Sequence, residues 1–181
     1  MNKRERISDF VRSLDPAPSE GSSQNYYAAY FQLWNTQKYY EAHDVLEQLW
    51  LGEKNAELAR FYQALIQAAG AFVHLQKNFQ HPSHSKHSRR LPPAARLFEL
   101  ALRNLEDLPN EFRALDLVRF RELLRRYRDE IVAADFQRNP WSPDGAPRLQ
   151  RSLSQIATNE ISRQMITSRH AITSWPRMTA S

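Results

Sequence analysis

The stretch YYEAHDVLEQLWLGEKNAELARFYQALIQAAGAFVHLQ, residues 39–76, decides the fold. Its first part sets Ala42, Leu46 and Leu49 on one apolar stripe at helical spacing. Gly52 is a natural stop for that helix, and Asn55 suits the N-cap of the next. From about Ala56 to Gln76 the chain is apolar nearly all round, as in a helix buried at the centre of a domain. The short Gly52–Asn55 connection makes the two an antiparallel helical hairpin.

Working outward, Tyr26-Tyr27-Ala28-Ala29-Tyr30-Phe31-Gln32-Leu33-Trp34 is aromatic-dense and helical in period, and Asn35-Thr36-Gln37-Lys38 reads as a tight turn. Before it lie a short helix from about Lys3 to Leu14, the turn Asp15-Pro16-Ala17-Pro18 and the linker Ser19–Ser23. After it, Asn78 to Pro93 breaks the pattern. Pro92 and Pro93 suit the first turn of the amphipathic helix through Ala94–Leu102. Another runs from about Asp116 to Ala134, with Phe120, Leu123, Leu124, Tyr127 and Ile131 on one stripe. No segment alternates as a strand. The helical pair beginning at Tyr26 superficially looks like a tetratricopeptide unit, but no second copy follows at a fixed period. The reading is all-α: a compact bundle of about five helices over residues 25–136, built around the hairpin. An N-terminal extension (1–24) and a Pro/Ser/Thr/Arg-rich C-terminal tail (137–181) flank it as mobile ends.

The 181 residues include no Cys and four Gly. Disulfides, thiolate metal sites and cysteine nucleophiles are excluded, and neither a P-loop nor G-x-G-x-x-G appears. No run approaches the roughly 18 apolar residues of a membrane span, and MNKRERISDF lacks the apolar core of a secretory signal, so a cytoplasmic protein without membrane contact is expected. The formal net charge is +5, and twenty of the 25 basic residues are Arg. The whole excess falls in residues 81–91 and 140–181, leaving the bundle close to neutral. Such a tail can bind nucleic acid through salt-sensitive phosphate contacts, but a solvated tail is the favoured reading.

Two helices carry polar residues beside their apolar faces. At 100° per residue, Tyr40, Glu47 and Trp50 fall within about 60° of His43, whereas Glu41 lies about 160° away and Asp44 about 100° away. His43 and Glu47 form an i, i+4 pair. On the next helix Gln63, Gln67, Gly70 and His74 share a stripe, all within about 40° of Gln63. Reflection about the hairpin loop sets His43 level with Gln63 and Ala64, and Glu47 level with Arg60. His43 and His74 are then roughly 15 Å apart along the axis, too far for one metal ion. HExxH is absent. The expected arrangement is an interhelical network of His43, Glu47, Gln63 and Gln67, with Glu47 charge-paired to Arg60.

Other groups read more plainly. His81, His84 and His87 resemble a metal-binding tract, but three neighbouring bases repel a cation and make it a solvated linker without its own order. Arg121, Arg125 and Arg128 line one helix face interrupted by acids, which favours a solvated face over the alternative, a phosphate-binding surface. Tyr26, Tyr27, Tyr30, Tyr39, Tyr40 and Trp34 are suited to a half-buried core that also closes a dimer interface.

The run Tyr39–Trp50, together with Phe61-Tyr62-Gln63-Ala64-Leu65-Ile66-Gln67 and His74, resembles the signature of the family known as domain of unknown function 309. Its first motif reads Y-x-E-A-H-E-x-x-E-x-x-W and its second G-L-I-Q, and a later Gly-Ala-x-x-Leu segment resembles Ala94-Ala95-Arg96-Leu97. The resemblance spans roughly residues 26–106. It implies a small all-helical bacterial or archaeal protein whose family has no established activity. Glu41, His43, Glu47, Trp50, Gln67 and His74 match its polar and aromatic signature; Asp44 stands where Glu is usual, and Ala64 replaces the Gly of G-L-I-Q.

The binding residues expected from these readings are Tyr40, Glu41, His43, Glu47, Trp50, Gln63, Gln67 and His74, with no catalytic residue, metal centre or cofactor assigned. The favoured function is a non-enzymatic binding or assembly module that self-associates through its aromatic helices, with a small ligand or a protein partner at the polar cluster. A small enzyme using His43 and Glu47 as an acid–base or metal-assisted pair is the alternative. Nucleic-acid binding through the Arg-rich tail is the third reading.

Overall fold

The computed structural model describes residues 23–151 and, before them, Glu5, Asp9, Val11 and Ser13, which are helical. Five helices follow in order, α1 (Ser23–Asn35), α2 (Tyr39–Trp50), α3 (Ala56–Gln80), α4 (Leu91–Leu105) and α5 (Leu117–Ala133). A short antiparallel pair, β1 (Glu111–Phe112) and β2 (Leu115–Asp116), joins α4 to α5. Each helix packs chiefly on its neighbours in the chain. The all-α bundle read from the sequence is the fold observed. No described helix is long and apolar enough to cross a membrane.

Local chemistry sets the boundaries. The Asn55 side chain caps α3 by accepting from the Leu58 amide at 2.9 Å, and Asp116 caps α5 by accepting from the Arg119 amide at 3.0 Å. The α1–α2 turn closes with Gln37 at φ 59°, its amide donating to the Trp34 carbonyl. α3 is the central helix, as its apolar composition predicts. Phe72 at its middle meets Trp34 of α1, Tyr39 of α2, Phe98 of α4 and Tyr127 of α5, with ring centroids 4.8–5.3 Å apart. Four helices thus converge on one ring.

The β1–β2 hairpin is absent from the sequence reading. Its turn residues Arg113 and Ala114 both have positive φ, 51° and 61°. A two-residue turn of that kind is normally signalled by Asn-Gly or Asp-Gly, and Arg-Ala gives no such signal.

The bundle also continues beyond the expected boundary at residue 136. Residues 137–151 form a strap across α1, α2 and the C-terminal part of α3, and Gly145 accepts from Tyr127 of α5. Trp141 and Leu149 are buried in the core, and the Trp141 indole N–H donates to the Tyr39 hydroxyl. The Trp34 indole N–H donates to the Pro147 carbonyl, and Asn35 exchanges two 2.8 Å bonds with the Leu149 backbone. Tail composition concealed this because the anchors are two isolated apolar residues and several backbone groups. Residues 152–181, including most of the Arg-rich tail, lie outside the described residues. At the other end Val11 joins the core, so the N-terminal extension touches the bundle.

Candidate functional site

α2 buries Tyr39, Ala42, Val45 and Leu46 and leaves His43 and Glu47 half-buried along its edge. His43 Nδ1 lies 3.2 Å from Asp44 Oδ1, with the imidazole side chain 32% exposed and the carboxylate 8%. The nitrogen that faces the Asp44 carboxylate is Nδ1, so in the tautomer that leaves Nδ1 its lone pair a cation can take the proton's place between ring and carboxylate. Each of His43, Asp44 and Glu47 offers a donor atom within 4.8 Å of the others. Among the described residues no other group of three histidine or acidic side chains converges in this way. One imidazole and two carboxylates suit a cation.

Asp44 is the residue that sequence reasoning missed. The rotation of 100° per residue places it off the His43 face, but adjacent side chains on a helix can bend toward each other across that angle. The family's acidic residue at this place was the available signal.

The level of His43 also differs from the sequence ruler. A Cβ built on Gly70 would lie 4.0 Å from His43 Cδ2 and 3.4 Å from Leu97 Cδ1. His43 therefore sits opposite Gly70, about 9 Å farther along α3 than Ala64. The ruler treats the connection as helical, whereas Asn55 is extended (φ −77°, ψ 117°) and a chain near this conformation advances roughly 3.3 Å per residue. Gly70 of α3 thus faces both His43 of α2 and Leu97 of α4.

The four-residue network of the sequence reading is divided between two faces. Gln67 accepts from Asn104 of α4 at 2.9 Å, and His74 Nδ1 accepts from Arg90 at 3.0 Å, so both serve the α3–α4 seam. Burial, then the positive charges of Arg90 and Lys77, hold the His74 pKa below its ordinary value. Arg60 pairs with Asp107 at 3.3 Å and not with Glu47, because the offset moves it away from that level. Gln63 is half-buried on the same stripe. Tyr40 and Trp50 are exposed at the two ends of α2, with Lys77 Nζ 5.9 Å from the centre of the Tyr40 ring. Glu41 is exposed, outside the cluster.

Two further readings are corrected, and a third holds in part. Tyr27, Tyr30, Trp34 and Tyr39 are core residues, as their helical spacing predicts, and Tyr40 is exposed. The 81–90 loop is held in place: Asn78 donates to the carbonyls of His87 and Ser88, and Arg90 Nε donates to His87 Nδ1 at 2.7 Å. Arg121 is not solvated but buried, donating through Nη2 to the carbonyls of Leu105 and Leu108 just at the end of α4. A cation there satisfies carbonyls that the helix end leaves unpaired.

Residues 27–85 match the family model described as "Domain of unknown function (DUF309)". The match takes in α1, α2 and α3 with the His43 cluster, Gly70 and His74. Ala94-Ala95-Arg96-Leu97, α5 and the strap lie outside it. An uncharacterized protein of Aquifex aeolicus (strain VF5) is 31% identical over 107 residues, 59% of this chain and 28% of the relative. The chain thus aligns with less than a third of that relative's length. No solved structure matches significantly.

Proposed function

We propose that this domain, similar over α1–α3 to a family without an assigned activity, is a non-enzymatic binding module whose α2 turn recognises a divalent cation. The observation that carries the reading is the convergence of donor atoms from His43, Asp44 and Glu47 within 4.8 Å. Imidazole nitrogen with carboxylate oxygens suits borderline Zn²⁺ and the harder, oxygen-preferring Mn²⁺. Three protein donors leave coordination positions for water or for a partner's carboxylate, which favours recognition through the ion.

Calorimetric titration of the full chain with Mn²⁺ or Zn²⁺ tests this. One site per chain is expected, weakened about tenfold or more by His43→Ala and by Glu47→Gln. Replacing His81, His84 and His87 together by Ala should preserve it. Binding that survives both site variants, or disappears with the loop histidines, contradicts the proposal.

Self-association is a second reading, favoured by Tyr40, Trp50 and Leu51, which are 56%, 36% and 64% exposed. A monomer in light scattering at high concentration argues against it.

A further inference from the structure

Between α4 and α5 lies an open cavity of about 350 Å³ walled mainly by charged side chains, among them Arg103, Arg121, Arg125, Arg128, Glu99 and Glu106. Its four cations exceed its two anions, and the anions are unevenly shared. Glu99 takes both Arg103, at 3.5 Å, and Arg128, whose partners also include Asp129. Arg121 has no carboxylate partner among the described residues: Nη2 is held by the two carbonyls of Leu105 and Leu108, and its buried Nε–H has no acceptor. It is about nine-tenths buried. Arg125 lies exposed one turn farther along α5, also without an ion pair among the described residues.

Like charges held together at the mouth of a cavity are destabilised unless an anion joins them. Burial and the neighbouring Arg125 lower the Arg121 pKa, the direction expected of a guanidinium short of negative charge. Planar guanidinium groups match the paired oxygens of phosphate. We propose that this cavity binds a phosphate group, with Arg121 as the buried, preset cation and Arg125 as the mobile one that closes on the anion. The site is independent of the α2 cluster.

The test is calorimetric titration of the full chain with inorganic phosphate against chloride at matched ionic strength, with phenyl phosphate as a second probe. Arg125→Gln is the informative variant, because Arg121 also secures the end of α4 and its replacement would compromise folding. Phosphate should bind at one site, about tenfold more weakly in Arg125→Gln. Arg96→Gln, an exposed position on α4 outside the cavity, should leave the affinity unchanged. Tighter binding of phenyl phosphate supports an esterified ligand, and tighter binding of phosphate supports the free ion. No binding beyond chloride, or equal losses in Arg125→Gln and Arg96→Gln, overturns the proposal.

Discussion

Tyr27 and Tyr30 lie one turn apart on α1, both buried, yet their hydroxyls differ. Tyr30 donates to the Leu65 carbonyl at 3.1 Å, whereas the Tyr27 hydroxyl is buried without a hydrogen-bond partner among the described residues. Tyr30→Phe should cost about 1 kcal/mol and Tyr27→Phe nothing, or a slight gain, as measured by chemical denaturation. A larger loss at Tyr27 would be contrary to this geometry. His74 supplies a pH-dependent term. Its folded-state pKa lies below the ordinary 6.5, so between those two values the unfolded chain holds more protons. Its stabilisation is full above about pH 6.5 and is lost as pH falls toward the lowered value. His74→Gln, whose amide oxygen can still accept from Arg90, should therefore lose less Tm than the parent between about pH 7.5 and 5.5. Equal losses would contradict the assignment. At this scale the sequence marks His43 and Glu47 by their i, i+4 spacing. It hides Asp44 and the true partners of Gln67, His74 and Arg60, because those depend on the offset between helices.

Helices are the most legible elements. Asn55, Gly52 and Pro92-Pro93 mark ends where the structure has them, and the apolar face of α5 contains the predicted Phe120, Leu124, Tyr127 and Ile131. Elements without periodicity are not legible. The Arg113-Ala114 turn lacks glycine or asparagine despite its positive φ angles, and the strap is tied by single residues far apart in sequence. The strap should carry real stability. Trp141 is 2% exposed against Tyr39 and Phe79, so Trp141→Ala should cost about 3–5 kcal/mol. Ending the chain at Phe136 should cost more, because the indole N–H of Trp34 and the amide of Asn35 lose their acceptors as well. Denaturant midpoints unchanged by either alteration would show the strap to be dispensable.

Across the whole molecule, Phe72 gathers four helices into one core, and the recognition chemistry is left to the edges. The α2 edge gathers carboxylates beside an imidazole, and the α4–α5 side gathers guanidinium groups. A nearly neutral sum of the bundle's charges conceals this separation, which is why net charge alone pointed to the loop and the tail. Cation binding at α2 is the central claim, and the histidines of the 81–87 loop are its natural competitor. Imidazole NMR resonances of the full chain, followed as substoichiometric Mn²⁺ is added, distinguish the two directly. Paramagnetic broadening should reach His43 first and leave His81, His84 and His87 sharp. Broadening that begins in the loop, or leaves His43 untouched, would contradict it.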